Sequence, residues 1–173
     1  MARWLPRPTL GPVAEQTHRA VSGVESVLRA AGIEPRVRWL DAAATTAVLA
    51  AAALEVPVGA IANSLIFTLD AEPVLVLTSG AHRVDTAWLG EQLGGKLRRA
   101  NPETVRAATG QVIGGVAPVG HPAKLRTWVD EDLAQYPEIW AAAGHAHTVF
   151  PLTFDQLVTI TGGTTTAVTP PAP

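Results

Sequence analysis

The spacing of apolar and polar positions divides the chain into short, well-punctuated segments. Ala20/Val21, Val24, Val27/Leu28 and Ala31 recur at helical spacing, so a helix is expected over about 14–31, with Gly32 as a left-handed stop. Val37–Leu40 is short and β-like. Thr45 can cap an alanine-rich helix reaching Leu54, ended by Pro57 and Gly59. Ser64–Leu69 and Val74–Thr78, joined by Asp70-Ala71-Glu72-Pro73, form a hairpin pattern. Both runs are apolar at nearly every position, which places them in a sheet covered on two faces.

Further along, Asp85 caps a helix carrying Trp88, Leu89 and Leu93, closed by Gly94-Gly95, and Lys96–Arg99 reads as an exposed strand. Asn101-Pro102-Glu103 is a helix start with proline at its first position, and Gly110 is the stop. Strands are expected at Gln111–Val116, Leu125–Val129, Ile139–Ala142 and Thr148–Leu152, with a short helix over Asp130–Gln135. Thr153-Phe154-Asp155-Gln156 has capping-box form and opens a last helix through Ile160. Hairpins mixed with crossovers argue for an α+β (mixed α/β) fold rather than a regular βαβ array. The expected organisation is an irregular, proline-rich arm over 1–13, one compact domain over 14–165, and a flexible Thr-, Gly- and Pro-rich tail over 166–173.

Composition narrows the class. The 173 residues are 47% hydrophobic and 16% charged, enough for a buried core. The longest apolar stretch, near Ala42–Leu54, falls short of the roughly 18 residues of a membrane span. The first residues lack an apolar signal region, so a cytoplasmic location without membrane association is expected. With no cysteine there is no disulfide, thiolate nucleophile or Cys-type zinc site. Absence of G-x-G-x-x-G after a first strand and of G-x-x-x-x-G-K-[ST] leaves the corresponding nucleotide cofactors unsupported, and no cofactor is expected.

The net charge of −2 conceals an uneven distribution. Residues 83–126 hold seven basic and three acidic side chains, whereas 127–173 hold five acidic and no basic ones. With a net charge of −2 overall, a general DNA coat is not expected. A local footprint for a phosphate-bearing partner, carried by Arg98, Arg99 and Lys124, is the sharper reading, and a solvated cationic surface the plainer one.

Candidate chemistry concentrates in Ala108-Thr109-Gly110-Gln111-Val112-Ile113-Gly114-Gly115-Val116-Ala117-Pro118-Val119-Gly120-His121-Pro122. Paired glycines let backbone approach a ligand and aim N–H groups at one oxygen, though a tight turn uses the same residues. His121, His145 and His147 are the histidines a metal site would draw on, but no partner has clear ligand spacing, and no metal is expected. Ser64 and Ser79 lack a G-x-S-x-G elbow. Asp130-Glu131-Asp132 is most simply an acidic helix start.

Three segments together resemble a family. Val58-Gly59-Ala60-Ile61-Ala62-Asn63-Ser64-Leu65-Ile66-Phe67, Thr109–Gly120 and Ile139-Trp140-Ala141-Ala142-Ala143-Gly144 look like the ordered motifs of YbaK/EbsC-type proteins, the prolyl-tRNA editing-domain superfamily of aminoacyl-tRNA deacylases. The likeness spans roughly residues 20–165. It implies a compact domain around a mixed β-sheet or barrel, and trans-acting hydrolysis of the ester of a mischarged tRNA, commonly tRNA for proline, with prolyl-tRNA synthetase as a candidate partner. On this resemblance Gly114 and Gly115 are candidate oxyanion donors and His121 a candidate base. Asn63, Thr109, Pro118, Gly120, Gly144 and His145 are the candidate substrate-binding residues. Family members with demonstrated editing usually carry a lysine where this chain has Asn63, so either the substrate is held differently or the site takes another ligand. The alternative is therefore a non-catalytic binding module of the same fold, recognising a nucleotide, an aminoacyl adenylate or a protein partner.

Overall fold

The computed structural model describes the backbone over residues 12–173 and side chains from residue 19 onward. The expected arm over 1–13 lies outside it, apart from Pro12 and Val13, which open helix α1 (Pro12–Ala30). Then follow β1 (Arg38–Trp39), α2 (Ala47–Leu54), β2 (Ile61–Leu69), β3 (Glu72–Ser79), α3 (Thr86–Leu93), β4 (Leu97–Arg99) and α4 (Pro102–Thr109). Next come β5 (Arg126–Asp130), a 3₁₀ turn at Glu131–Gln135, β6 (Ile139–Ala142), β7 (Thr148–Leu152), α5 (Phe154–Thr161) and β8 (Thr164–Thr166).

Local chemistry sets most boundaries. Asp85, Asn101 and Thr153 each accept a backbone N–H in the first turn of α3, α4 and α5, and Gln156 completes the capping box on Thr153. Each capped donor would otherwise be unsatisfied. At α2 the cap is Thr46 rather than the expected Thr45, because the Thr46 hydroxyl accepts the Leu49 N–H. Thr45 is left facing the loop at Gly114.

Eight strands form one mixed sheet in the order β1-β7-β6-β2-β3-β5-β8, with β4 pairing a second stretch of β2. Its two faces explain the unbroken apolar runs. Ile66, Leu75 and Leu77 join Val24 and Leu28 of α1 and Leu157 of α5 in the larger core. Phe67, Leu69, Val74 and Val76 pack on the other side with Leu89 of α3.

Two expectations are corrected. Gln111–Val116 is not a strand but a loop, since Gly114 adopts φ +90° and interrupts extended pairing. The flexible tail expected over 166–173 is tied down at its start: β8 runs parallel to β5, and Val168 is buried while its carbonyl accepts the Asp85 N–H.

The sheet has one local opening. Strand β3 pairs with β2 from Ala62 to Leu69. On the opposite edge β6 pairs only with Ile61–Ala62, and β4 only with Phe67–Leu69. Among the described residues, no strand pairs with Asn63–Ile66 on that edge.

Candidate active site

A cavity of about 330 Å³ opens at this break in the sheet. Asn63–Ile66 of β2 form its floor, Thr45, Thr46 and Ala50 one wall, Trp140–Ala142 of β6 another, and Ile113, Gly114 and Val116 close it from the loop. Among the described residues its lining holds no carboxylate, histidine or lysine, and Arg99 is its one charged side chain. The surroundings are apolar, so a polar group placed here by a ligand must find its partners among Asn63, Ser64, the threonines, Arg99 and exposed backbone.

Loop 111–119 owes its shape to a residue that sequence reading overlooked as a support. Gln111 is buried; its Oε1 accepts the Ala117 N–H at 2.7 Å and its Nε2 donates to the Val119 carbonyl at 3.3 Å. Thr109 is likewise structural. Its hydroxyl donates to the Val105 carbonyl at 2.7 Å and accepts the Gln111 N–H at 3.0 Å, joining the end of α4 to the loop. Neither Thr109 nor Gln111 lines the cavity.

The two glycines separate into different roles. Gly114 lines the cavity, its φ of +90° disfavours a side chain, and its N–H has no acceptor among the described residues. Gly115 does not fit the expected role of oxyanion donor, because its N–H already donates to the Val112 carbonyl at 3.0 Å. What Gly115 provides is close packing: a Cβ there would lie 2.6 Å from the His145 carbonyl carbon. The neighbouring Val116 N–H also lacks an acceptor among the described residues, so the available donors flank Gly115.

Asn63 lines both the cavity and an adjoining groove of about 560 Å³. That groove carries Arg83, Arg98 and Arg99, all exposed and without an ion-pair partner among the described residues. Three unneutralised guanidinium groups beside an apolar cavity suit an anionic chain entering alongside a less polar group.

The remaining sequence candidates are elsewhere. Pro118, Gly120, His121 and Lys124 line a separate groove with Val27 and Ile160 that shares no residue with the cavity. His121 is thereby displaced from the role of base at the cavity. Its Nε2 lies 2.8 Å from the Ala117 carbonyl and must carry the proton there, and burial pushes its pKa down, opposed by this hydrogen bond. Lys124 is likewise parted from Arg98 and Arg99. Gly144, at φ +100°, abuts Ala20 of α1 and serves packing. His145 accepts the His147 N–H on Nδ1 and its ring lies tilted, 5.1 Å from that of Trp39, outside the cavity lining.

Asp130, read from sequence as part of an acidic helix start, does more. It is 1% exposed, accepts the Ser79 N–H at 2.9 Å, and lies 2.7 Å from His82 Nδ1, whose Nε2 is 2.9 Å from Asp132. This cluster pins the end of β3 to the start of the 3₁₀ turn beside the arginine groove. A separation of 48 residues between His82 and Asp130 gave no local signal.

Comparison with known proteins bears on the same region. The aminoacyl-tRNA editing domain matches residues 41–160, well over half of the chain. The chain is 28% identical to an uncharacterized Bacillus subtilis protein, YwhH, over 72% of its own length and 80% of that protein's. It is 35% identical over 101 residues to the proline–tRNA ligase of Solidesulfovibrio magneticus, covering 56% of this chain but 17% of the ligase. A crystal structure of a proposed trans-editing enzyme for prolyl-tRNA synthetase superposes with a TM-score of 0.82 at 37% identity, covering 94% of this chain and all of that one.

Proposed function

This chain belongs to the aminoacyl-tRNA editing-domain family, and we propose that it acts in trans to hydrolyse the ester of a mischarged tRNA, with tRNA for proline as its partner. The carrying observation is the break in the sheet at Asn63–Ile66, where an apolar cavity meets a groove of unpaired arginines. An aminoacyl-tRNA end has this polarity, with a small amino acid at the tip of a chain of phosphates. The amino acid enters the cavity, the ester lies near Asn63, and the phosphates follow Arg83, Arg98 and Arg99.

The ester is already activated, so water attack needs orientation and a stabilised oxyanion more than a nucleophilic side chain. The Gly114 N–H is the donor this reading assigns to the oxyanion. Since no described side chain lining the cavity can act as a general base near neutral pH, the proton of the attacking water passes to the substrate's own amine or is relayed through the neighbouring ribose hydroxyl. The bond from the ester carbonyl to the ribose oxygen then breaks as that oxygen takes up the proton, releasing free amino acid and intact tRNA.

Asn63 favours a second reading, a binding module, because it offers hydrogen bonds without charge. The experiment that decides is release of amino acid from a panel of mischarged tRNAs, with protein against buffer alone. Accelerated release supports the enzyme; binding of charged tRNA without release supports the module.

A further inference from the structure

The break in β2 leaves a specific set of polar groups. Because the Gly80 N–H donates to the Ile61 carbonyl at 2.8 Å, Ile61 and every second residue after it turn their backbone groups toward β3. Ala62, Ser64 and Ile66 turn theirs to the opposite edge. Ala62 is met there by β6, and the Ile66 carbonyl accepts the Ala100 N–H at 3.2 Å. The N–H and C=O of Ser64 and the N–H of Ile66 face the opening with no strand opposite them.

The side chain of Ser64 adds a fourth group. Its hydroxyl is buried and has no hydrogen-bond partner among the described residues. The strand places it on the same face as Ala62 and Ile66, beside Val105, Val116 and Ala141 of the cavity lining. In a folded protein a buried hydroxyl normally has a partner, and one left without it at the floor of a binding cavity points to a partner supplied by the ligand.

We propose that Ser64 is the specificity residue of this cavity and selects an aminoacyl group whose side chain ends in a hydroxyl. The inference rests on the editing reading above and names the substrate class of the same site. A hydroxyl both donates and accepts, so it can bond to Ser64 Oγ and to one of the free backbone groups at once. An alkyl group of the same size would cover those groups without bonding to them, and a site with stranded polar groups discriminates against such a ligand.

The test uses one tRNA for proline charged either with serine or with 2-aminobutyrate, which replaces the hydroxyl by a methyl group. Single-turnover release is measured for the wild-type protein, Ser64→Ala and Ser64→Thr. The expected wild-type preference for the seryl ester is at least about tenfold. Ser64→Ala should bring the ratio to within about twofold of unity, while its melting temperature does not fall, because an unsatisfied hydroxyl has been removed. Ser64→Thr keeps the hydroxyl and should keep the preference. Equal wild-type rates, or a preference that survives in Ser64→Ala, would overturn the proposal while leaving the editing reading intact. Release of neither amino acid would overturn the editing reading and this inference together.

Discussion

The side chain of Gln111 and the backbone of Ala117 are joined by a 2.7 Å hydrogen bond that spans the glycine-rich loop. The same carboxamide reaches the Val119 carbonyl, so one buried side chain organises both ends of the segment that carries Gly114 to the cavity. Gln111→Met preserves length and removes both bonds, leaving a buried N–H and C=O unpaired. We expect a loss of about 2 kcal/mol and a drop of roughly 4–8 °C in melting temperature, measured by calorimetry. Turnover should fall further than stability accounts for at a temperature where the variant is folded.

Gly114 and Gly115 should fail in different ways. Gly114→Ala forces a side chain into the left-handed region beside Thr45, at a cost of about 1–2 kcal/mol, and moves the assigned oxyanion donor. A folded variant with at least about tenfold slower ester hydrolysis is expected. In Gly115→Ala the added Cβ meets the backbone of His145 and Ala146, so the melting temperature should fall more than for Gly114→Ala. Comparable melting temperatures for the two variants would contradict this division.

Much of the fold was legible because its signals are local. Asp85, Asn101 and Thr153 announced three helices by caps acting within four residues, and the hairpin of β2 and β3 was carried by two apolar runs with a short turn. The misread elements depend on distant partners. Val112 and Ile113 look β-like, yet Gly114 and the Gln111 side chain turn them into an exposed loop. Thr164–Thr166 has no apolar pattern, and only its pairing with Trp128–Asp130 makes it a strand.

The candidate site was legible in the same proportion. Asn63, Gly114 and Arg99 meet at the cavity, whereas His121 and Lys124, close to Gly114 in sequence, belong to another groove because the loop reverses between them. Ser64 lies in no nucleophile motif; what distinguishes it is the missing pairing on one edge of β2, a property of the assembled sheet.

Arg98 and Arg99 should govern tRNA affinity without choosing among tRNAs. If each meets one phosphate, the double alanine variant should reduce the slope of log affinity against log salt by roughly 1.4, the value for two contacts on a single strand. The loss should be similar across tRNAs, since phosphate contacts position rather than specify. Filter binding at several salt concentrations measures both; an unchanged slope would move the footprint elsewhere.

His121 sets a pH dependence of stability that is separable from catalysis. Its folded pKa lies below the ordinary value of about 6.5, so the unfolded chain binds more protons in the interval between the two. Its contribution is fully present above about pH 6.5 and is lost as pH falls toward the folded pKa. His121→Gln keeps a donor for the Ala117 carbonyl and removes the titration. The melting temperature of the variant should therefore decline less steeply than that of the wild type between about pH 7.5 and 5.5.

The central claim is that the break in the sheet is where the ester is hydrolysed, and filling it is the most direct test. Ala142 of β6 is half-buried in the cavity wall, and Ala142→Phe would occupy the space without altering a residue of the arginine groove or of the glycine loop. The measurement is single-turnover release of amino acid from mischarged tRNA by wild type and variant, with melting temperature as the control. The account predicts that the wild type outpaces buffer and that the variant loses about a hundredfold or more in rate, while melting within roughly 5 °C of the wild type. A folded variant that releases the amino acid at the wild-type rate would contradict it.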